Sequence, residues 1–254
     1  MNKATKINLL LQNVPEHVVI TDKLLKQLNI SNSLKQIYIK NQWLESIGYG
    51  ASIRKGNIVN WSGGAYAIQN QLGIPIHIGG KTALELLGLS HFLKFNLNLI
   101  TIFSQKTISL PKWFKEHKFN AKFNIINSNF IPLDVAIEER EIDGLKIKIS
   151  SPERAFFELL YQIPSSQSFL EASLIIENLV SLRPRIIQLL LEQCSSIKVK
   201  RIFLFLAEMH NHPWFPYLKL NAIDLGSGKR VIEKDGAFDH KYQITIPRSI
   251  LNEQ

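Results

Sequence analysis

Apolar residues near the N-terminus recur at the spacing of two short amphipathic helices. The first helix is predicted to follow Thr21, a favourable N-cap residue, because the next leucine residues lie on one helical face: Leu24, Leu25 and Leu28. The second is predicted after Ser31, from residue 32 to about 41, with an inward stripe of Leu34, Ile37 and Tyr38. The residues between the helices, Asn29-Ile30-Ser31, predict a tight turn.

The pattern then changes from helical to strand spacing. Trp43 to Ile47 and Ala51 to Arg54 are predicted strands, joined at Gly48-Tyr49-Gly50, where glycine permits the backbone angles of a tight turn. With another helix predicted from Thr5 to Leu11, these elements have the order of a winged helix-turn-helix, a common DNA-binding module. Two helices and a hairpin also occur in ordinary protein cores, so the charge of the segment matters.

The N-terminal segment is basic. Residues 1 to 60 contain eight Lys and Arg residues and three acidic residues, and the formal net charge of all 254 residues is +9. A basic face on a small helical unit is typical of proteins that contact DNA phosphates. We therefore expect double-stranded DNA to be bound by the polar face of the second helix and by the wing, through Asn32, Ser33, Lys35, Gln36, Lys40, Tyr49, Arg54 and Lys55.

The rest of the chain alternates between short strands and apolar helices. A strand at 74–78, between helices at 65–72 and 82–87, is predicted to extend the N-terminal domain. Beyond residue 93 the predicted strands lie at 95–103, 121–126, 134–137, 145–149, 223–225, 230–233 and 242–246. The predicted helices there are one that begins at Pro152 and three at 169–182, 184–194 and 197–209. The expected fold class is α+β, with a winged helix-turn-helix domain over 1–92 and a mixed α+β domain over 93–254.

Three motifs could carry other chemistry. Gly79-Gly80-Lys81-Thr82 follows a predicted strand, but the phosphate-loop pattern requires an earlier glycine where this chain has Pro75. Gly226-Ser227-Gly228-Lys229-Arg230 could bind an anion through backbone amides and two cations, although a glycine hairpin between strands explains the same residues more simply. His210 and His212 lack a third metal ligand at a recognisable spacing.

Other signs of catalysis or export are missing from the sequence. No arrangement of serine, cysteine or histidine identifies a nucleophile, and we predict no catalytic residue, no cofactor and no metal. The single cysteine, Cys194, excludes an intramolecular disulfide framework. No apolar run is long enough for a secretory signal or a membrane span, so we expect a soluble cytoplasmic protein.

A set of short motifs extends over nearly the whole chain: Trp61-Ser62-Gly63-Gly64 with Tyr66, Ala67 and Gln69, His77 to Leu86, Leu110 to Phe114, Ser151 to Ala155, Val199 to Arg201, Ile223 to Arg230 and Lys241-Tyr242. In their order and spacing, these strings resemble the AbiEi antitoxins of type IV toxin-antitoxin systems. The resemblance implies an N-terminal winged helix that binds operator DNA and represses the protein's own operon. It also implies a C-terminal domain that counters a nucleotidyltransferase-like toxin without a tight complex.

The resemblance also points to an exposed antitoxin surface made of basic residues from two of these strings: Lys200, Arg201, Lys229 and Arg230. Two alternatives remain open. One is a winged-helix transcription regulator whose second domain senses a ligand or forms an oligomer, with no toxin partner. The other is a DNA-targeted nuclease or nucleotide-handling protein that uses acids such as Asp134 and Asp224.

Overall fold

The computed structural model describes residues 6–89, 99–105 and 107–253. Its helices are α1 (Lys6–Asn13), α2 (Asp22–Gln27), α3 (Asn32–Lys40), α4 (Trp61–Tyr66), α5 (Gly80–Leu86), α6 (Lys112–Glu116), α7 (Pro152–Tyr161), α8 (Phe169–Glu177), α9 (Pro184–Gln193) and α10 (Ile197–Met209). Its strands are β1 (Ile20–Thr21), β2 (Leu44–Gly48), β3 (Ala51–Arg54), β4 (Ile76–Ile78), β5 (Leu99–Ser104), β6 (Lys122–Asn127), β7 (Ile137–Ile142), β8 (Leu145–Ser150), β9 (Arg230–Val231), β10 (Ala237–Asp239) and β11 (Ile244–Ile246). A π-helical turn, Ala67–Leu72, continues α4. These elements confirm the expected α+β fold class.

The described strands form three sheets, in the orders β1-β3-β2, β10-β11-β9 and β6-β5-β4-β8-β7. In the largest sheet β5 is parallel to β6, and β4 is parallel to β8. The chain divides into two compact units, each assembled from separate segments. Unit 1 contains residues 1–77, 96–127 and 139–148, and unit 2 contains residues 78–95, 128–138 and 149–254. The domain division after residue 92 remains a prediction.

The N-terminal part of unit 1 has the elements of a winged helix-turn-helix in the expected order. The side chains of Thr21 and Ser31 accept hydrogen bonds from the backbone N–H groups three residues later, which confirms both predicted N-caps. Strands β2 and β3 pair antiparallel, and β1 pairs with β3. The buried apolar side chains of this part include Leu10, Val19, Ile20, Leu25, Ile30, Tyr38 and Leu44.

Two glycine residues allow close packing in the middle of unit 1. A Cβ atom on Gly63 would lie 1.9 Å from the His17 carbonyl oxygen, and one on Gly64 would lie 3.0 Å from the Phe119 ring. Phe119 belongs to an aromatic cluster that also contains Trp113, Phe114 and Phe123. Because these glycine residues serve packing and do not break the helix, α4 begins before them, whereas the sequence predicted a start after them.

Unit 2 is built around α7, whose residues from 153 to 160 are all buried. The Ser151 hydroxyl accepts a hydrogen bond from the N–H of Arg154, and Pro152 occupies the first turn, as predicted. Helices α5, α8, α9 and α10 contact α7. The rings of Phe156 and Phe157 pack on Phe203 of α10, so the apolar core of unit 2 lies between these helices.

Several predicted boundaries in the second half of the chain are wrong. No strand forms at 134–137; strand β7 begins at Ile137 and contains the charged run 138–141, which an edge strand tolerates because one side is open to water. No strand forms at 223–225, the helix predicted over 169–182 ends at Glu177, and β10 was not predicted. Residues 95–98 of the predicted strand 95–103 lie outside the described residues.

Candidate nucleic-acid interface

Helix α3 presents a row of exposed side chains on one face. Ser33, Gln36, Ile37 and Lys40 are three and four residues apart, and all four are exposed, as is Asn32 at the start of the helix. Ile37, which we predicted to point inward, is 50% exposed, so that prediction is wrong. The face combines hydroxyl, amide, aliphatic and ammonium groups. Such groups can hydrogen-bond base edges, contact a thymine methyl group and reach phosphates.

Lys35 lies on the inward face of α3, and the expectation that it faces DNA is wrong. Only 7% of Lys35 is exposed, and its Nζ lies 2.6 Å from Asp22 Oδ1 in the first turn of α2. A lysine can be buried in this way because its aliphatic stem packs among apolar groups while the ammonium reaches a charged partner. The inward face of α3 therefore contains Lys35, which we predicted to be exposed, and the outward face contains Ile37, which we predicted to be buried.

The cations predicted on the wing contact the protein itself. Arg54 Nη2 donates to the Leu11 carbonyl oxygen at 2.6 Å and also to the carbonyl oxygen of Val14, at the C-terminal end of α1. Lys55 Nζ lies 2.7 Å from Glu45 Oε2 across the hairpin. Arg54, which we predicted to contact DNA, is therefore bound to the end of α1 instead, and the charge of Lys55 is partly neutralised.

The tip of the wing combines a fixed backbone with a free side chain. Tyr49 is 99% exposed. The N–H of Asp22 donates to the Gly50 carbonyl oxygen at 2.9 Å, and a Cβ atom on Gly48 would lie only 2.9 Å from Trp113 Cβ. Tyr49 therefore projects from a turn whose two glycine residues are packed against α6 and bonded to α2.

Two lysine residues of the helix-turn-helix remain free. Within residues 6–60, all of which the structure describes, Lys26 on α2 and Lys40 on α3 make no hydrogen bond or ion pair with the protein. Lys6 and Lys23, by contrast, donate to backbone carbonyl oxygens. Lys40 was selected from the sequence and Lys26 was missed, although Lys26 lies opposite the stripe of Leu24, Leu25 and Leu28, a position that indicates exposure.

A second basic surface lies on another part of unit 1. An open groove of about 1120 Å³ is lined by Leu99, Lys115, Glu116, His117, Lys118, Asn120, Ala121, Lys122, Phe123 and Ile125. Burial lowers the pKa of His117, and the Glu45 carboxylate partly opposes this shift. The three lysine residues give the groove a positive charge that can attract phosphates. This segment was not predicted as a binding surface, although its lysine and aromatic content is a signal visible in the sequence.

Among the described residues there is no metal-binding cluster, no reactive thiol and no helix that could span a membrane. These residues contain no group of three His, Cys, Asp or Glu that could hold a metal ion. His212 stacks on Trp214 with the ring centroids 4.5 Å apart, and burial, assisted by the charge of His210, lowers the pKa of His212 to about 4. Burial raises the pKa of Cys194 to about 11, which keeps the thiol protonated. None of the described helices is long and apolar enough to cross a bilayer.

Two family models match consecutive parts of the sequence. One, described as "Transcriptional regulator, AbiEi antitoxin N-terminal domain", matches residues 3–95. The other, described as "Transcriptional regulator, AbiEi antitoxin, Type IV TA system", matches residues 98–247. The chain belongs to the AbiEi antitoxin family. This confirms the resemblance found in the sequence.

The fold of this AbiEi protein also occurs in a solved structure. The crystal structure of the RV2827C protein from Mycobacterium tuberculosis superposes with a TM-score of 0.64 and 14% sequence identity, covering 97% of this chain and 92% of that chain. At this identity the similarity concerns the fold alone. No curated protein matches the sequence.

One of the AbiEi strings holds unit 2 together. Within Ser151 to Ala155, Glu153 accepts hydrogen bonds from Nε and Nη2 of Arg183 at 2.8 Å, and Arg154 Nε donates to Glu158 at 2.7 Å. Arg154 Nη1 also donates to two backbone carbonyl oxygens at 2.6 Å. The Glu158 carboxylate in turn accepts the N–H at the start of α5, at 3.0 Å. That amide, which a phosphate loop would offer to its ligand, is thus already engaged.

The four basic residues predicted as an AbiEi antitoxin surface fall into two pairs. Lys200 and Arg201 are 4% and 2% exposed, and both donate to backbone carbonyl oxygens of residues 224–228. The expectation that these two residues are exposed is therefore wrong, because α10 uses them to hold a loop. Lys229 and Arg230 are exposed, as expected.

Proposed function

We propose that this AbiEi protein represses its own operon by placing α3 in the major groove of double-stranded operator DNA. The observation that carries the proposal is the exposed row Ser33, Gln36, Ile37 and Lys40. Lys35 anchors the opposite face of this helix to α2. A helix that is fixed on one side and polar and cationic on the other is suited to base readout.

Other residues of unit 1 supply contacts to the DNA backbone in this proposal. Lys26 and Lys40 are free cations, and Tyr49 projects from the wing. Their role is positioning, because phosphate contacts fix the register of a protein on DNA without reading its sequence. Lys55 contributes less, since its charge is shared with Glu45.

We further infer that the protein counters a nucleotidyltransferase-like toxin without a tight complex and that it acts in the cytoplasm. Membership of a type IV antitoxin family supports this inference. Lys229 and Arg230 are the remaining candidates for the antitoxin surface, since both are exposed. The second candidate function is a winged-helix regulator without a toxin partner, which the same α3 face would serve equally well.

The proposal is tested by measuring repression and protection in the same cells. A promoter reporter and co-expression of the cognate toxin would be combined with the double variant Lys26→Ala/Lys40→Ala, and with Arg185→Ala/Lys219→Ala as a control of equal charge change. We expect the first variant to lose repression and keep protection, and the control to keep both. Loss of protection in every variant that loses repression would contradict the separation of the two activities. Absence of any protection by the wild-type protein would favour the regulator without a toxin.

A further inference from the structure

A buried arginine shapes the glycine loop, which we define as residues 224–230. Arg201 Nε donates to the Leu225 carbonyl oxygen at 2.8 Å, Nη1 to that of Gly228 at 2.6 Å, and Nη2 to that of Gly226 at 3.1 Å. Nη1 also donates to the carbonyl oxygen of Gln243 at 3.2 Å. One guanidinium therefore turns three carbonyl groups of the loop toward the protein interior.

The amide groups of the loop must then point the other way. In a trans peptide the N–H is opposed to the carbonyl of the preceding residue, so the N–H groups of Ser227 and Lys229 face away from Arg201. The N–H of Gly226 is bound to Asp224 Oδ1 at 2.7 Å. In the described part of the chain, the N–H groups of Ser227, Gly228 and Lys229 have no acceptor. Outward amides next to glycine residues with positive φ, here Gly226 and Gly228, are typical of the backbone nests that bind anions.

The glycine loop is also surrounded by positive charge. Lys229 Nζ is held 4.7 Å from the centre of the Phe238 ring, and Arg230 Nη1 lies 3.8 Å from where a Cβ atom on Gly228 would be. Lys200 Nζ donates to the Asp224 carbonyl oxygen at 2.9 Å. Burial lowers the pKa of Arg201, and repulsion from the charge of Arg230 lowers it further.

The setting of the glycine residues differs from the one that the sequence predicted. The sequence suggested that they form a hairpin turn between two strands, but residues 223–225 are not a strand, and β9 pairs in parallel with β11. The Asp224 carboxylate opposes the four cations but already accepts a loop amide. An external anion would relieve the repulsion and satisfy the free amides.

We propose that the glycine loop binds a phosphoryl group. The N–H groups of Ser227, Gly228 and Lys229 and the Ser227 hydroxyl donate to its oxygens, and the side chains of Lys229 and Arg230 neutralise its charge. The phosphoryl group belongs either to a free nucleotide or to a nucleic-acid backbone. The proposal does not depend on operator binding by α3, because every residue that carries it lies in unit 2.

The test uses the full ¹⁵N-labelled chain at constant ionic strength. Titration with inorganic phosphate and with pyrophosphate should shift the amide resonances of residues 227–229 and saturate. Lys229→Gln/Arg230→Gln should weaken this binding tenfold or more. Arg185→Gln/Lys219→Gln removes the same number of exposed charges elsewhere in unit 2 and should leave it unchanged. Thermal melting would show that both variants remain folded.

Two further probes distinguish the sources of the phosphoryl group. Saturable shifts of the same amides with ATP, competed by inorganic phosphate, would assign the loop to a free nucleotide. Shifts produced by a single-stranded oligonucleotide without terminal phosphates, but not by ATP, would assign it to a nucleic-acid backbone. The proposal is overturned if no probe shifts residues 227–229, or if the loop variant and the charge-matched control bind equally.

Discussion

Helices α3 and α10 are both basic, but their cations differ in availability. On α10, Lys198 donates to the carbonyl oxygens of Tyr161 and Ile163, at and just beyond the end of α7, and Lys200 and Arg201 donate to the glycine loop. On α3, only Lys35 is used internally, and Lys40 extends into solvent. In both helices, basic residues on the buried side bind internal groups: Lys200 and Arg201 bind backbone carbonyl oxygens, and Lys35 binds a carboxylate. Basic residues on the far side of the helix remain available for a polyanion.

The largest effect is expected from removing the internal anchor on α10. Arg201→Met leaves three loop carbonyl oxygens without a donor and leaves that of Gln243 with only the Arg230 N–H. It should lower the free energy of unfolding by about 2 to 4 kcal/mol, since hydrogen bonds to charged groups are worth about 1.5 to 3 kcal/mol. Urea denaturation followed by circular dichroism measures this change. Arg185→Met, on the exposed side of α9, is the matched control and should change stability by no more than about 0.5 kcal/mol. Equal stability of the two variants would contradict the anchoring role.

The next effect concerns the pH dependence of stability that the buried His212 side chain causes in unit 2. The pKa of His212 is about 4 in the folded protein, against an ordinary value of 6.5, so the unfolded chain binds the proton more readily between these values. Stability is therefore complete above pH 6.5 and falls as the pH drops toward 4, by at most about 3 kcal/mol. His212→Phe preserves the stack on Trp214 and should flatten the dependence of Tm on pH.

The control for this pH dependence is the exposed His240. His240→Gln should leave the fall in Tm between pH 7 and pH 5 as it is in the wild type. If His212→Phe shows the same fall as the wild type, the acid sensitivity arises from other groups.

Helix caps were predictable from the sequence, whereas the basic residues that bond to distant parts of the chain were not. Thr21 and Ser31 cap their helices through atoms three residues away, so the sequence around them contained the information. The orientation of α3 depends on Asp22, whose reach to Lys35 is a tertiary contact. The hydrogen-bond partners of Arg201 lie 24 to 42 residues later in the sequence, and the spacing of apolar residues does not indicate such contacts. The winged helix was therefore found, whereas two of the four residues assigned to the antitoxin surface, Lys200 and Arg201, are buried.

A smaller effect should separate the two lysine residues of α3. Lys40→Gln removes one exposed cation and should reduce the slope of log affinity for DNA against log salt by about 0.9. Lys35→Gln should leave that slope unchanged and instead lower stability by about 1 to 2 kcal/mol, because it breaks the contact with Asp22. Salt titrations of both variants on one DNA fragment, with melting curves, measure these changes. A reduced slope for Lys35→Gln alone would show that α3 is oriented differently.

The most direct test of the account is the base preference conferred by Gln36, in the centre of the exposed face of α3. The measurement compares Gln36→Ala with the wild type for the operator and for an unrelated duplex at one salt concentration. The account predicts a loss of operator affinity equivalent to about 1 to 3 kcal/mol, with binding to the unrelated duplex unchanged. Equal operator affinity for the two proteins would contradict the placement of α3 in the major groove.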